Sequence, residues 1–411
     1  MAADLRTLVL QPSTNRAAGL VLALTLVGYP LAAGVSEFAG IPNRLLSVPF
    51  RALVLGASLF VLLRLLDARP ARTDRHPVWI AWWLFWGLYV SRIVVDALFN
   101  PDALKLPVQE YLLFGVGVTL LPAAVLASRR LEVATEATAR LILLLGFVGT
   151  LLNLWVILHQ LDFASYIEFA TNRVETDSLN PITIGQVGAS SILLATWQLL
   201  HGSDRGGRQR LWLAACIALG SVALIASASR GPMISMAVAG LVLLAHERRL
   251  IPMLWIAGIA ATLPLLLAEA GLSLDSVFLF ERLSESAFTD SERSRLFADG
   301  LRAFQSSPLI GAGIEPIETY PHNLWLESFM VFGLPSGLAF SAVLIAATLC
   351  AWRIRATNPS AFWISLLFVQ YLVSALFSGS LYTSSAFWIL CALVLAIPDA
   401  GRPRTAAVAL P

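Results

Sequence analysis

Long, uninterrupted apolar segments are the feature that most constrains the fold of this chain. They recur along almost all of the 411 residues, and many approach the roughly 20 apolar residues that an α-helix needs to cross a bilayer. Charged residues make up only 13% of the chain, whereas soluble domains carry about a quarter. This shortage of charge excludes a soluble enzyme and a disordered chain, and the continuity of the runs excludes a transmembrane β-barrel. The sequence therefore predicts an all-α, polytopic membrane protein.

Twelve apolar segments qualify as transmembrane helices. The predicted spans are residues 18–35, 45–66, 77–95, 108–127, 138–159, 182–201, 210–227, 231–247, 250–269, 322–350, 361–378 and 382–398. With the N-terminus inside, roughly two thirds of the 28 lysines and arginines fall in inside segments, which is the distribution that the positive-inside rule requires. We therefore expect both termini in the cytoplasm.

One connection is much longer than the others and is predicted to lie outside. Residues 270–321 form a polar segment of about 50 residues, and connections of this length usually carry function. Ser291 can cap a helix that runs to about residue 306, with Phe297, Leu301 and Phe304 on one packed face. The predicted organisation is spans one to nine over 1–269, a partly helical loop domain over 270–321, spans ten to twelve over 322–398 and a cytoplasmic tail over 399–411.

Three spans are predicted to start at the outside face next to a proline, which favours the first turn of a helix. These starts are Asn180-Pro181, Gly231-Pro232 and Pro321-His322. Helix N-termini attract anions, and phosphate groups in particular. A cationic or titratable residue accompanies each start, namely Arg173, Arg230 and His322. The pattern predicts a site for a phosphorylated substrate at the outer membrane surface.

Further arginines are expected near this site. Arg44, Arg51 and Arg92 lie toward the outer ends of their spans, and Arg293, Arg295 and Arg302 lie on the long loop. Arginine binds phosphate in a bidentate manner and keeps its charge, although an arginine at a span end also commonly reaches out to lipid headgroups. His322 suits a different role, because a helix N-terminus disfavours its cation and leaves the neutral imidazole available as a base.

Several other kinds of site are not indicated. The net charge of +2 predicts no nucleic-acid partner. Cys216, Cys350 and Cys391 each lie inside an apolar run, which argues against a disulfide framework or a zinc site. We find no metal-binding or nucleotide-binding motif, so no metal and no cofactor are expected. The 12 tryptophans and 21 phenylalanines are interpreted as interfacial belts and lipid-facing bulk.

A family pattern runs through the second half of the chain. In order along the sequence it consists of Ser229-Arg230-Gly231, Arg295 in the loop helix, the turn from Pro308 to Gly313, His322-Asn323, and Gly333. This arrangement over about residues 170–345 resembles the O-antigen ligase and polymerase superfamily of bacterial envelope biogenesis. One departure is Val331, where relatives often carry an acidic residue, and Glu327 lies one helical turn earlier.

The resemblance implies a GT-C-like, metal-independent, inverting glycosyltransferase of the bacterial inner membrane, with its active site facing the periplasm. The family's donor is a glycan on undecaprenyl diphosphate, and the ligase's acceptor is a sugar hydroxyl of lipid A–core. Membrane lipids surround both substrates. The catalytic residues carried over are His322 and Arg230. The predicted residues for binding the diphosphate or glycan are Arg173, Arg295, Arg293, Asn323, Arg51 and Arg92.

Two alternatives remain open at the level of sequence. A polymerase of the same superfamily would use another lipid-linked repeat unit as its acceptor, but a single long loop just before His-Asn favours the ligase. A twelve-span transporter would fit the span count, yet it predicts two similar halves and polar groups near the membrane midplane, and neither is evident in the sequence, where the middle of most spans is Leu, Ala and Val.

Overall fold

The chain folds into a bundle of apolar helices. The computed structural model describes residues 12–67, 77–101, 104–128, 131–160, 179–201, 206–227, 229–247, 292–317 and 320–397. The helices of this described part are Pro12–Ala39 (α1), Asn43–Asp67 (α2), Val78–Phe99 (α3), Val108–Leu126 (α4), Glu136–Gln160 (α5), Pro181–His201 (α6), Gly207–Ala226 (α7), Arg230–His246 (α8), Glu292–Ser306 (α9), Leu324–Thr357 (α10), Phe362–Ala375 (α11) and Ser385–Ala396 (α12).

Most of these helices are built to cross a membrane. Among the described residues, seven are long and apolar enough for a span, namely α1 to α5, α7 and α10, and α8, α11 and α12 are shorter apolar helices. The predicted class of all-α polytopic membrane protein is confirmed. The predicted span 250–269 and the tail 399–411 lie outside the described residues. The count of twelve spans, the orientation and the division into domains therefore stay predictions.

Helix α6 lies at the centre of the bundle, where it packs against α5, α7, α8 and α11. Its polar side chains are buried and bond to α11. The Gln370 amide donates to the Gln186 carbonyl oxygen at 2.9 Å and to Gln186 Oε1 at 2.7 Å, and Ser190 Oγ donates to Gln370 Oε1 at 3.0 Å. Because hydrocarbon offers no other hydrogen-bond partners, these bonds between polar side chains hold α6 and α11 together. Polar groups inside the bundle were not expected from the sequence.

Aromatic residues form a core between α3, α10 and α12. Trp82, Trp86 and Trp388 are at most 1% exposed, and the Trp86 and Trp388 rings lie 4.8 Å apart. The interpretation of the tryptophans as interfacial or lipid-facing is therefore wrong for these three. Trp83, by contrast, is 53% exposed on the same helix. Whether a tryptophan is buried or exposed depends on helix packing, which a hydropathy pattern does not report.

Helix α10 differs from the continuous span predicted over 322–350. It extends to Thr357, and its backbone breaks at Phe332 and Gly333, where Gly333 has a φ of 67°. A left-handed residue interrupts the helical hydrogen bonds and turns the axis. The break separates a short first segment, which follows His322, from the long remainder of the helix.

The loop helix α9 confirms the predicted element, with a correction to its packed face. Phe304 contacts Phe329 of α10 with ring centroids 5.5 Å apart, as predicted for a packed residue. Phe297 and Leu301, however, are 43% and 39% exposed, and Leu296 is buried instead. The contact face is rotated because the helix packs through its glycine: a Cβ on Gly300 would lie 3.1 Å from Pro321.

Candidate active site

The turn at residues 308–313 is attached to the break in α10. Ala312 N donates to the Met330 carbonyl at 2.8 Å, and Leu334 N donates to the Pro308 carbonyl at 2.8 Å. Gly311 has a φ of 72°, and a Cβ there would collide with the Val331 backbone. Only glycine allows both this conformation and this approach. The glycine pattern that the sequence analysis singled out therefore serves to dock the turn on the helix that follows His322.

An ion pair on α3 holds the same turn from the other side. Arg92 Nε lies 2.8 Å from Asp96 Oδ1, and Arg92 Nη1 donates to the Ile310 carbonyl at 3.1 Å. Asp96 is 3% exposed and its Oδ2 accepts from Ile314 N at 2.9 Å. These contacts give Arg92 a positioning role, while its predicted part in substrate binding stays a prediction. Asp96 was not identified from the sequence, because nothing local distinguishes it from other acidic residues near span ends.

Glu315 continues this attachment and was not identified from the sequence. Its carboxylate accepts hydrogen bonds from the Tyr111 hydroxyl, from Lys105 N at 3.3 Å and from the Tyr382 hydroxyl at 3.4 Å. Lys105 Nζ donates to the Ile317 carbonyl at 2.6 Å. Residues 310–317 are thus tied to α3, to α4 and to the segment before α12. No sequence motif links these partners, which come from distant parts of the chain.

His322 and Asn323 come a few residues after this anchored segment, beyond residues 318–319, which lie outside the described residues. His322 is the only non-glycine residue of the described chain with a positive φ, at 54°, and it is half-buried. Backbone conformations of this kind cluster at functional sites. The His322 ring contacts Tyr320 edge-on, with centroids 4.5 Å apart. Burial, with the Glu327 charge adding to it, raises the pKa of Tyr320, so its hydroxyl stays protonated and able to donate.

Asn323 caps α10 rather than pointing at an open site. Its Oδ1 accepts from Leu326 N at 2.9 Å, and its Nδ2 donates to the Leu376 carbonyl at 3.3 Å. The cap satisfies one free N–H of the helix start. The second bond ties the start of α10 to the end of α11. Both polar ends of the side chain are engaged in these two hydrogen bonds. Its predicted role in substrate binding stays a prediction.

The start of α8 reaches the same end of α11. Helix α8 begins at Arg230, one residue earlier than the predicted start. A Cβ on Gly231 would lie 3.9 Å from the Cβ of Phe377, the neighbour of Leu376. Arg230 is half-buried at this junction. The structure therefore brings the starts of α8 and α10, which are far apart in sequence, to one end of α11.

A cavity of about 420 Å³ opens beside this junction. Its lining includes Arg51, Tyr320 and the start of α6 at Asn180, with Gln186 and Ser374 contributing further polar groups. Among the described residues, Arg51 is the only basic side chain in the lining, and its guanidinium carbon lies 4.3 Å from the centroid of the Phe114 ring. Of the three predicted helix starts, that of α6 contributes Asn180 to the lining and Tyr320 lies just before that of α10, whereas Arg230 and His322 are not among the lining residues.

The remaining predicted arginines do not line the cavity or lie outside the described residues. Arg173 falls outside the described residues, and only the backbone of Arg293 is described. Arg295 is exposed on α9, and Arg302 pairs there with Asp299. Arg44 is exposed at the start of α2. Because α9 packs on Pro321 through Gly300, the helix that carries Arg295 still borders His322.

Glu327 is buried and contacts the segment before α12. It is 2% exposed, and both of its carboxylate oxygens lie 3.1 Å from Leu381 N. Val331 is buried beneath the turn at Gly311. Glu327 thus orients the segment before α12, which lines the cavity at Thr383 and Ser384.

These features define a multi-pass, all-α membrane protein with a cavity of mixed polar and apolar lining at one end of its bundle. Residues 215–341 match a family model described as O-antigen ligase. The match confirms the resemblance over a segment that includes Arg230, the turn at 308–313 and His322, although this segment is less than a third of the chain. A comparison with curated proteins gives no match. The matched segment supports the O-antigen ligase and polymerase superfamily.

Proposed function

We propose that the protein is an O-antigen ligase. It would transfer a glycan from undecaprenyl diphosphate to a sugar hydroxyl of lipid A–core, at the periplasmic face of the bacterial inner membrane. The observation that carries this proposal is that the helix beginning at Arg230 and the segment of His322 and Asn323 both contact the end of α11, beside a cavity lined by Arg51. This arrangement brings cationic groups and a base to one region of the bundle, as transfer from a diphosphate needs.

In this proposal the arginines hold the donor's diphosphate. Arg230 is the first residue of α8, so its guanidinium and the free N–H groups of that helix start can face the same phosphate. Arg51 adds a second cation within the cavity. As the bond between the anomeric carbon and the phosphate oxygen breaks, these groups stabilise the negative charge that grows on the leaving diphosphate. Fixed guanidinium groups can supply this charge in place of a divalent cation.

His322 acts as the general base on the acceptor. Its imidazole takes the proton of the acceptor hydroxyl while that oxygen bonds to the anomeric carbon, and undecaprenyl diphosphate leaves from the opposite side. A single in-line displacement inverts the configuration at that carbon. The left-handed backbone of His322 and the contact with Tyr320 fix the direction of the ring. The hydrogen bond from Asn323 to Leu376 ties this arrangement to the end of α11.

The test is glycan transfer by the purified, reconstituted protein. His322→Ala and Arg230→Ala are each expected to lower transfer at least about 100-fold, as loss of a general base or a transition-state donor does. The matched controls are His159→Ala and Arg140→Ala. His159 stacks on Trp155, and Arg140 pairs with exposed Glu136, both on α5. Equal transfer by all four variants would refute the assigned roles.

The choice of acceptor separates the ligase from its alternatives. With lipid A–core as the acceptor, we expect a single product that carries the glycan. Lengthening of the lipid-linked glycan in the absence of lipid A–core would instead identify a polymerase. Movement of a solute across proteoliposomes, with no new glycosidic bond, would identify a transporter.

A further inference from the structure

A second polar cluster lies at the opposite ends of α6 and α8 from the candidate active site. His201 is the last residue of α6, His246 is the last residue of α8, and Glu247 follows it. Their side chains are 26%, 20% and 18% exposed. The first residues of the same two helices frame the candidate active site. The predicted topology places this cluster on the cytoplasmic side, so the proposed transfer does not use it.

The three side chains converge on one point. His201 Nε2 lies 3.2 Å from Glu247 Oε1, and His246 Nε2 lies 3.8 Å from the same oxygen. One ligand atom from each of the three residues lies within 4.8 Å of the others. The two imidazole rings are almost parallel, at 9° with centroids 6.0 Å apart. Two imidazoles therefore face a single carboxylate across a gap of a few ångströms.

The surroundings of the two histidines orient their rings. His201 Nδ1 lies 3.0 Å from the Trp197 carbonyl oxygen. A proton on Nδ1 would donate to that carbonyl and leave the lone pair of Nε2 directed toward Glu247. Histidines that bind metals commonly use their second nitrogen in this way. Phe362 contacts the His246 ring with centroids 4.4 Å apart, and Trp197 stacks on His201 at 5.3 Å.

We propose that His201, His246 and Glu247 bind a divalent transition-metal cation of the zinc type. Two histidines and a carboxylate are an established ligand set for zinc, with a fourth position left to water. Bonds of roughly 2.0–2.2 Å in a tetrahedron place ligand atoms roughly 3.4 Å apart. The distances between the ligand atoms observed here would reach this value after a small movement of the two imidazole side chains. The histidines also end their helices, where the negative ends of the helix dipoles favour a cation.

Such a cation would join the ends of α6 and α8. Because α6 is the central helix of the bundle and α8 carries Arg230 at its start, the metal would stabilise the scaffold of the site without touching substrate. The metal would therefore have a structural role, although the sequence predicted no metal site. Binding to the folded state alone raises stability with the logarithm of the free metal concentration.

The experiment measures zinc binding by the full-length protein, purified without a polyhistidine tag and stripped with a chelator. We expect about one zinc per chain by competition with a chromogenic chelator, and a rise in the unfolding temperature as zinc is added. His246→Ala and Glu247→Gln are each expected to lose at least about tenfold in affinity together with that rise. His159→Ala, on α5, is the matched control and should bind as the parent does.

Two results would overturn the proposal. One is the absence of saturable, stoichiometric uptake by the parent protein at zinc concentrations up to about 100 µM, far above those that a structural site requires. The other is equal uptake by the parent, His246→Ala and Glu247→Gln. Size-exclusion profiles and unfolding temperatures without zinc show whether each variant folds. Glu247→Gln keeps the shape of the side chain, so its result stands even if a histidine variant is unstable.

Discussion

Replacement of Gly311 by alanine tests whether the docked turn supports the active site. Gly311 has a φ of 72°, and its new methyl group would collide with the Val331 carbonyl and with Phe332 N. A left-handed alanine costs about 1–2 kcal/mol. Because the obstacle is backbone, the turn would have to move away and lose its two hydrogen bonds to α10, each contributing about 1 kcal/mol.

Together these effects amount to about 3–4 kcal/mol against the docked turn. This corresponds to roughly a 100-fold to 1000-fold shift toward the undocked state. Since the docked turn anchors the chain shortly before His322, we expect glycan transfer to fall by a similar factor. The assays are transfer in proteoliposomes and limited proteolysis at residues 308–313, which should become faster in the variant.

The matched control is Gly87→Ala in α3. Gly87 lies inside a helix, and a Cβ there meets nothing within 4 Å. Alanine favours a helix by roughly 0.5–1 kcal/mol over glycine, so this variant should keep its activity and its unfolding temperature. If Gly311→Ala behaved like Gly87→Ala in both assays, the turn would have no supporting role and the reasoning would fail.

Three further predictions concern single side chains. Asn323→Ala should lower the unfolding temperature, because it loses both the cap on α10, which contributes about 1 kcal/mol, and the hydrogen bond to Leu376, whereas Asn323→Asp, which keeps the capping oxygen but not the donor to Leu376, should retain only the contribution of the cap. Trp86→Ala should destabilise the protein by about 3–5 kcal/mol in denaturant unfolding, while Trp83→Ala, at an exposed position, should cost far less. Arg51→Ala should raise the KM for the lipid-linked donor roughly 10-fold to 100-fold, as expected for loss of a charged hydrogen bond, and an unchanged KM would remove Arg51 from the site.

The helices were predictable because apolar runs of span length have few other structures available. The start of α8 near Arg230 and the loop helix were also predictable, because their signals are local in sequence. The proximity of the starts of α8 and α10 at one end of the bundle agrees with the predicted topology, which places Arg230 and His322 at the same face. Both helix starts contact the end of α11, and no sequence motif identifies the last residues of that helix.

The supporting contacts of the site could not be read from the sequence. Asp96 resembles any acidic residue near a span end, and its burial appears only when the turn at Ile314 folds onto it. Glu315 gathers partners from three separate segments, and no local pattern links them. Similarly, hydropathy gives Trp83 and Trp86 the same value, although packing buries only one of them.

Chemical rescue of His322→Ala tests the central claim most directly. If His322 is the general base, free imidazole should restore part of the glycan transfer that this variant loses, because a small molecule can occupy the space of the deleted ring. Arg230→Ala should gain nothing from imidazole, since its loss is of a cation. Transfer by His322→Ala at the parent rate without imidazole would contradict the account.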